Sequence, residues 1–233
     1  MYGGYVKISV GYIMKGNLFL IVVIVMIPSL ACAVPGWSYL PFIKPAPSTI
    51  PGSIFFDDFS NPQSGWYTQY TDDHSVQYDW GGIRFRINRA DFDMWSYPQQ
   101  QFSDAIIWVE AAKLEGTTDN AFGILCRIQE DGDFYAFLIS NDGYYGISRR
   151  QAGSYHMLNA DSMTYSDHVS SPTGLYRLRA ECDRQNLVFY VNDLLLAEVT
   201  DSELASGKVG VLAGTYSQPG VDIFFDNFIV TVP

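Results

Sequence analysis

From Ile54 to the end of the chain, apolar and polar residues alternate with a period of two, segment after segment. In "GIRFRIN", Ile83, Phe85 and Ile87 alternate with Arg84 and Arg86, the pattern of a half-buried strand. In "DAIIWVEAA", Ile107, Val109 and Ala111 share one face, while Ile106, Trp108 and Glu110 share the other. "LYRLRAEC" sets Tyr176, Leu178 and Ala180 inside, with Arg177, Arg179 and Glu181 outside. "AFGILCRIQ" and "DFYAFLIS" are joined by the Asp131–Gly132 turn, and Asn141–Gly143 turns the chain into "YYGISRR". "NLVFYV" and "LLLAEV" flank Asn192–Asp193, a two-residue hairpin. The pattern predicts roughly 13 strands, an all-β chain of two antiparallel sheets packed as a sandwich. One helical turn is expected at "DSELASG", Asp201–Gly207.

The first 33 residues do not belong to this body. Lys7 and Lys15 precede the apolar run "LFLIVVIVMIPSLA", Leu18–Ala31. A membrane span takes about 20 apolar residues, so this shorter run reads as the core of a signal peptide. Two cleavages fit. "ACA" at Ala31–Ala33 suits ordinary signal peptidase, and "SLAC", ending at Cys32, resembles a lipoprotein box that would place a lipid on Cys32. Residues 34–53, "VPGWSYLPFIKPAPSTIPGS", form a Pro-rich linker that excludes helix and central strand. The globular domain is expected over 54–233.

Charge and cysteine content narrow the function classes. The chain holds 14 Lys and Arg against 25 Asp and Glu, net −11. Residues 1–31 carry two lysines and no acid, so the remainder has 12 bases against 25 acids, net −13. Such a surface repels nucleic acid and anionic lipid, and no basic patch is interleaved with aromatics. Nucleic acid is excluded as a partner, and a membrane is met only through an N-terminal lipid. With Cys32 lipidated or removed, Cys126 and Cys182 remain as an even pair. Both alternate with apolar residues, as one disulfide of an exported protein or as two buried thiols.

"LVFYVNDLLLAEV", "GKVGVLAGT" and "FFDNFIV" in succession resemble the closing half of a concanavalin A-like jelly roll. The opening phrase "FFDDFSNPQSGW", Phe55–Trp66, resembles that of laminin G-like modules of bacterial exported proteins. The resemblance covers about Ile54–Pro233, with Asp193 where such hairpins carry Gly. It implies that the first and last strands are antiparallel neighbours. The near-identical "FFDDF" at Phe55–Phe59 and "FFDNF" at Phe224–Phe228 would then mark closure of the domain, with alternate Phe in the core and Asp at the rim. Relatives of this superfamily include lectins and glucanases, which implies binding of a carbohydrate or other extracellular ligand.

Candidate chemistry follows. Asp57, Asp58, Asp226 and Asn227 would converge, and Asp58 and Asp226 are the expected ligands of a structural Ca²⁺, a cation that takes 6–8 oxygens. The alternative is that these acids cap turns. Glycan recognition needs flat rings with nearby hydrogen-bonding groups. Trp95, Tyr97, Trp108, Glu110, Arg127 and Tyr144 are the candidates. Catalysis finds less support. Glu110 and Glu115 stand as the outer pair of a glucanase-like Glu-x-Asp-x-x-Glu run, but Ala112 takes the middle place. "YSDHVS" at Tyr165–Ser170 reads as a solvated loop. The sequence therefore points to a non-catalytic extracytoplasmic binding module, with a glycoside hydrolase-like enzyme or an adhesive protein-binding module as alternatives.

Overall fold

The computed structural model describes residues 53–233, Pro172 excepted. The signal segment, Cys32 and the linker up to residue 52 lie outside the described residues. Seventeen strands follow one another and no helix occurs among the described residues. They are β1 (Ser53–Asp57), β2 (Gln69–Tyr70), β3 (His74–Asp79), β4 (Gly82–Ile87), β5 (Phe92–Ser96) and β6 (Gln101–Phe102). Next come β7 (Ala105–Gly116), β8 (Asn120–Ile128), β9 (Phe134–Ile139), β10 (Tyr144–Gln151), β11 (Ser154–Met157) and β12 (Thr164–Tyr165). The last five are β13 (Leu175–Asp183), β14 (Asn186–Val191), β15 (Leu194–Thr200), β16 (Gly207–Thr215) and β17 (Val221–Thr231).

Two antiparallel sheets result. A nine-stranded sheet has the order β15-β14-β13-β7-β17-β4-β3-β2, with β1 added on β17. An eight-stranded sheet has the order β11-β10-β9-β8-β16-β5, with β12 on β10 and β6 on β16. The alternating apolar residues of both sheets meet in one core that includes Phe85, Ile107, Phe122, Phe137, Leu178, Phe189, Val211 and Phe225. Cys126 of β8 and Cys182 of β13 form a disulfide across this core, tying one sheet to the other.

The terminal strands pair as the resemblance implied. β1 runs antiparallel to β17, with Phe56 opposite Ile229 and Asp57 opposite Phe228. One detail differs. Asp57 is not at the rim but buried, accepting from the Phe59 backbone N–H at 2.7 Å and from the Trp66 indole N–H at 2.9 Å. The indole packs edge-on to both Phe59 and Phe228. A carboxylate with two donors is tolerable in a core where a lone one is not.

Two further expectations are corrected. The segment at Asp201–Gly207 forms no helical turn. The Asp201 carboxylate instead accepts from Tyr135 Oη, Arg149 and the Glu203 N–H, which holds the segment extended against β9 and β10. In β8 the period of two breaks at Arg127 (φ 55), where Lys208 pairs with Ile128 but Gly210 pairs with Leu125. The extra residue is a β-bulge. It sends Ile128 to the opposite face from Ile124 and Cys126, into a second apolar cluster.

The Asn192–Asp193 hairpin has positive φ at both turn residues, 51 and 69. That is the type I′ geometry that matches the twist of the flanking strands.

Candidate ligand cavity on the outer face of the eight-stranded sheet

The outer face of the eight-stranded sheet carries a second apolar cluster: Ala121, Leu125, Ile128, Phe134, Ala136, Leu138 and Leu212, with Trp95, Tyr97 and Met163 against it. These residues are buried although no other sheet covers them. Curling explains this. β5 and β11 are opposite edges of a six-strand path, so flat strands at about 4.8 Å spacing would set them roughly 24 Å apart. Yet the Tyr155 hydroxyl of β11 donates to the Asp93 carboxylate of β5. Trp95 of β5 packs edge-on to Phe134 of β9, ring centroids 5.3 Å apart, and Phe134 packs on Tyr155. The Arg150 guanidinium of β10 lies 5.3 Å from the Trp95 ring. The sheet is rolled about its outer face until its edges touch.

The roll encloses a cavity of about 150 Å³. Its floor is built of small or flexible outward residues, Ala121, Gly146, Leu138, Leu212 and Gly214, and Met157 and Met163 line it as well. A Cβ at Gly146 would meet the flexible Met157 Cε at 2.3 Å, so a side chain there would push into the space the cavity uses. The polar groups are few: Asp93, Ser148, Thr215, and the hydroxyls of Tyr155 and Tyr216. Ser148 is 2% exposed and its hydroxyl has no hydrogen-bond partner. Such a group costs about 1–3 kcal/mol in the empty protein, which a bound polar ligand would recover. The Tyr216 hydroxyl meets only the thioether of Met163, at 3.3 Å, a weak acceptor. Desolvation and the neighbouring Asp93, Asp119 and Asp142 carboxylates push the Tyr216 hydroxyl up to about 12. Desolvation and Asp93 likewise hold the Tyr155 proton far above the ordinary tyrosine range. Both hydroxyls are donors at any physiological pH.

The six expected ligand residues do not share one surface. Trp95 and Tyr144 lie on the eight-stranded sheet, and Tyr97 follows the end of β5 and packs on the outer cluster. Trp95 is engaged with Phe134 and Arg150. Tyr97 is stacked on Tyr67 under the Lys208 ammonium, and Tyr144 packs on Tyr165. Trp108 and Glu110 lie on the outer face of the nine-stranded sheet, where they line a shallow pocket with Arg177, Asn227, Ile229 and Thr231. Arg127 is 2% exposed and bonds Ser103 O, Leu204 O and Asp104, so it is a strut between loops.

The cavity is lined instead by Asp93, Ser148, Tyr155, Met157, Met163 and Tyr216. The available signal was the run of small residues at outward positions, Ala121, Gly146, Ser148 and Gly214, which leave a sheet face hollow.

The expected calcium ligands lie near one another but face different partners. Asp58 accepts from the Ser60 backbone N–H and hydroxyl. Asp226 sits at a bulge of β17, where Asn227 takes φ 53 and donates its side-chain amide to Glu110 at 2.9 Å. Burial and the Glu110, Asp58 and Asp57 carboxylates raise Asp226 to about 7, against the opposing Asn227 N–H. Among the described residues no three His, Cys, Asp or Glu side chains are grouped to hold a metal ion.

This architecture is an all-β, jelly-roll-like sandwich of two curled antiparallel sheets. Its structural neighbours include the carbohydrate-binding module CBM66 from Bacillus subtilis, at 18% identity, covering 70% of this chain and 96% of that one, with a TM-score of 0.54. A protein with galectin-like fold from Bacillus subtilis is similar at 13% identity over 78% of this chain and 96% of that one, TM-score 0.57. A β-glucanase of Bacillus licheniformis is similar at 10% identity over 79% of this chain and all of that one, TM-score 0.57. No family model and no curated protein sequence matches the chain.

Proposed function

We propose that this protein is a carbohydrate-recognition module that takes one sugar unit end-on into the cavity between Asp93, Ser148, Tyr155 and Tyr216. The carrying observation is the buried, unpartnered Ser148 hydroxyl on the wall of a cavity. At about 10–15 Å³ per water-sized group, 150 Å³ holds roughly the non-hydrogen atoms of a single sugar ring. Asp93 and Ser148 can accept from sugar hydroxyls, Tyr216 can donate, and the Tyr155 and Tyr216 rings flank the CH faces. The bridge from Asp93 to Tyr155 blocks an open groove, which favours a chain end over a chain interior. A single carboxylate, Asp93, lines the cavity, whereas glycosidic cleavage takes a pair. This supports binding without turnover. The interior disulfide favours a site of action in an oxidising, extracytoplasmic compartment.

The test is thermal unfolding of the protein against a panel of monosaccharides, methyl glycosides and soluble polysaccharides, since a ligand of the native state raises the midpoint. Gly146→Leu, which fills the cavity, is expected to abolish the shift; Trp108→Ala is expected to leave it. The reverse result would move the site to the opposite face, where Trp108, Glu110, Arg177 and Asn227 present a ring beside polar groups. No shift with any sugar would sink the carbohydrate reading in favour of a protein-binding module.

A further inference from the structure

The charge around the cavity goes further than its shape. Asp93 lies in its wall. Asp119 is fixed beside Tyr216 by bonds from the Ser217 hydroxyl and the Gln218 N–H to its carboxylate, and its own carbonyl accepts from the Tyr216 N–H at 3.2 Å. Asp142 is held in the turn before β10 by the Ser140 hydroxyl. Two bases lie around this group, both engaged: Arg150 bonds the Gly132 carbonyl at 2.7 Å and lies over the Trp95 and Phe134 rings, and Arg89 lies over the Phe92 ring. The lining itself contains one carboxylate, Asp93, and no lysine or arginine. The fields of Asp93, Asp119 and Asp142 reach the Tyr216 hydroxyl in the cavity mouth. One oxygen of Asp93 accepts from Tyr155, and the carboxylate has a second. The Tyr155 and Tyr216 rings, both about two-fifths exposed, offer π faces at the entrance.

We propose that the sugar bound in this cavity carries a protonated primary amine, placed against Asp93 between the Tyr155 and Tyr216 rings, with a neighbouring hydroxyl on Ser148. An ammonium donates to a carboxylate in a charge-assisted bond roughly twice as strong as a neutral one. It is also attracted by aromatic faces. A neutral hydroxyl gains neither of these. A carboxylate-bearing or sulfated sugar would be repelled by all three acids. The chemical class is thus an unacetylated amino sugar at a chain end. This inference rests on the reading that the cavity takes a sugar.

Calorimetric titration separates the two ideas. The intact protein is titrated with glucosamine, glucose, N-acetylglucosamine and choline, at low and high salt. Glucosamine is expected to bind about tenfold or more tightly than glucose or the acetylated sugar, a preference that shrinks at high salt as the carboxylate fields are screened. Asp93→Asn is expected to erase the preference. Asp119→Asn, which leaves the Tyr155 contact untouched, is expected to reduce it. Equal binding of glucose and glucosamine would overturn the amine while leaving the sugar site standing. Binding of choline without glucosamine would overturn it in favour of a simple alkylammonium ligand. Binding of no sugar would remove the site reading, and the amine with it.

Discussion

Asp93 and Tyr155 stand on opposite edge strands of the eight-stranded sheet and are joined by one hydrogen bond. That contact closes the roll around the cavity. Tyr155→Phe removes it while keeping the ring on Phe134. The expected cost is about 1 kcal/mol in urea unfolding, because the pair is near the surface. Sugar affinity is expected to fall more than stability, since the mouth loosens. The same tyrosines predict an alkaline signature. A hydroxyl whose native pKa exceeds its unfolded value of 10.0 stabilises fully below pH 10 and loses that contribution as pH rises through the native pKa. Tyr135 and Tyr216 are both pushed up to about 12, first by desolvation. Spectrophotometric titration is therefore expected to show tyrosines resisting ionisation beyond pH 11, released by denaturant. Ionisation of all of them near pH 10 in the native protein would contradict the described surroundings.

Asp226 gives a second pH dependence, at the other end of the scale. Its carboxyl is raised from 3.8 to about 7 by burial, then by Glu110 and the aspartates of β1 and its following turn. Because the native pKa is the higher one, the stabilisation is complete below pH 3.8 and is lost as pH rises toward 7. Asp226→Asn keeps the shape without the charge. It is expected to gain about 1–3 kcal/mol over the natural protein at pH 8 and almost nothing at pH 4. Urea midpoints at the two pH values measure the difference. An equal effect at both would show that Asp226 is ionised throughout.

How far the sequence carried can be seen residue by residue. The period of two placed Ile83, Phe85 and Ile87, and Tyr176, Leu178 and Ala180, on the core face where they are found. The terminal pairing was legible from the resemblance that "FFDDF" and "FFDNF" carry, although of the two phrases only Asp57 and Phe228 stand opposite each other. Periodicity failed where the ladder slips. One extra residue at Arg127 re-aimed that side chain into loop carbonyls and sent Ile128 to the other face. Alternation also assigns a residue to a face but not to a sheet, so Trp108 and Trp95 stood together as candidates for a ligand although they lie on different sheets. The cavity itself was hidden because curling of a sheet is a property of all its strands together. Asp93 and Tyr155 are 62 residues apart, and nothing local to either marks them as partners.

The Cys126–Cys182 bridge joins β8 to β13 across a sequence separation of 56. Both cysteines are 1% exposed. Constraining a loop of this length in the unfolded chain contributes about 4 kcal/mol in the chain-entropy view. The double variant Cys126→Ala/Cys182→Ala is expected to fold with that much less stability, plus the cost of any void. In the native protein, a reductant with iodoacetamide is expected to leave both sulfurs unmodified until denaturant is added. Rapid alkylation without denaturant would mean that the two sheets part readily, which the continuous core between them argues against.

The strongest single test of the opening phrase "FFDDFSNPQSGW" is Trp66→Phe. Phe fills most of the indole's space against Phe59 and Phe228, so the apolar loss is small. What disappears is the N–H that meets Asp57 Oδ2 at 2.9 Å. Asp57 is then left with one donor, the Phe59 N–H, in a site only 7% exposed. A buried carboxylate stripped of a donor costs about 2–3 kcal/mol. Replacing Asp57 by Asn in the same chain removes the charge that made the indole necessary. The double variant is therefore expected to be less destabilised than the sum of the two single changes, a coupling that urea unfolding of all four proteins resolves. Strict additivity would mean that Trp66 acts through its bulk alone, and that the Asp of the opening phrase is held by the backbone turn without it.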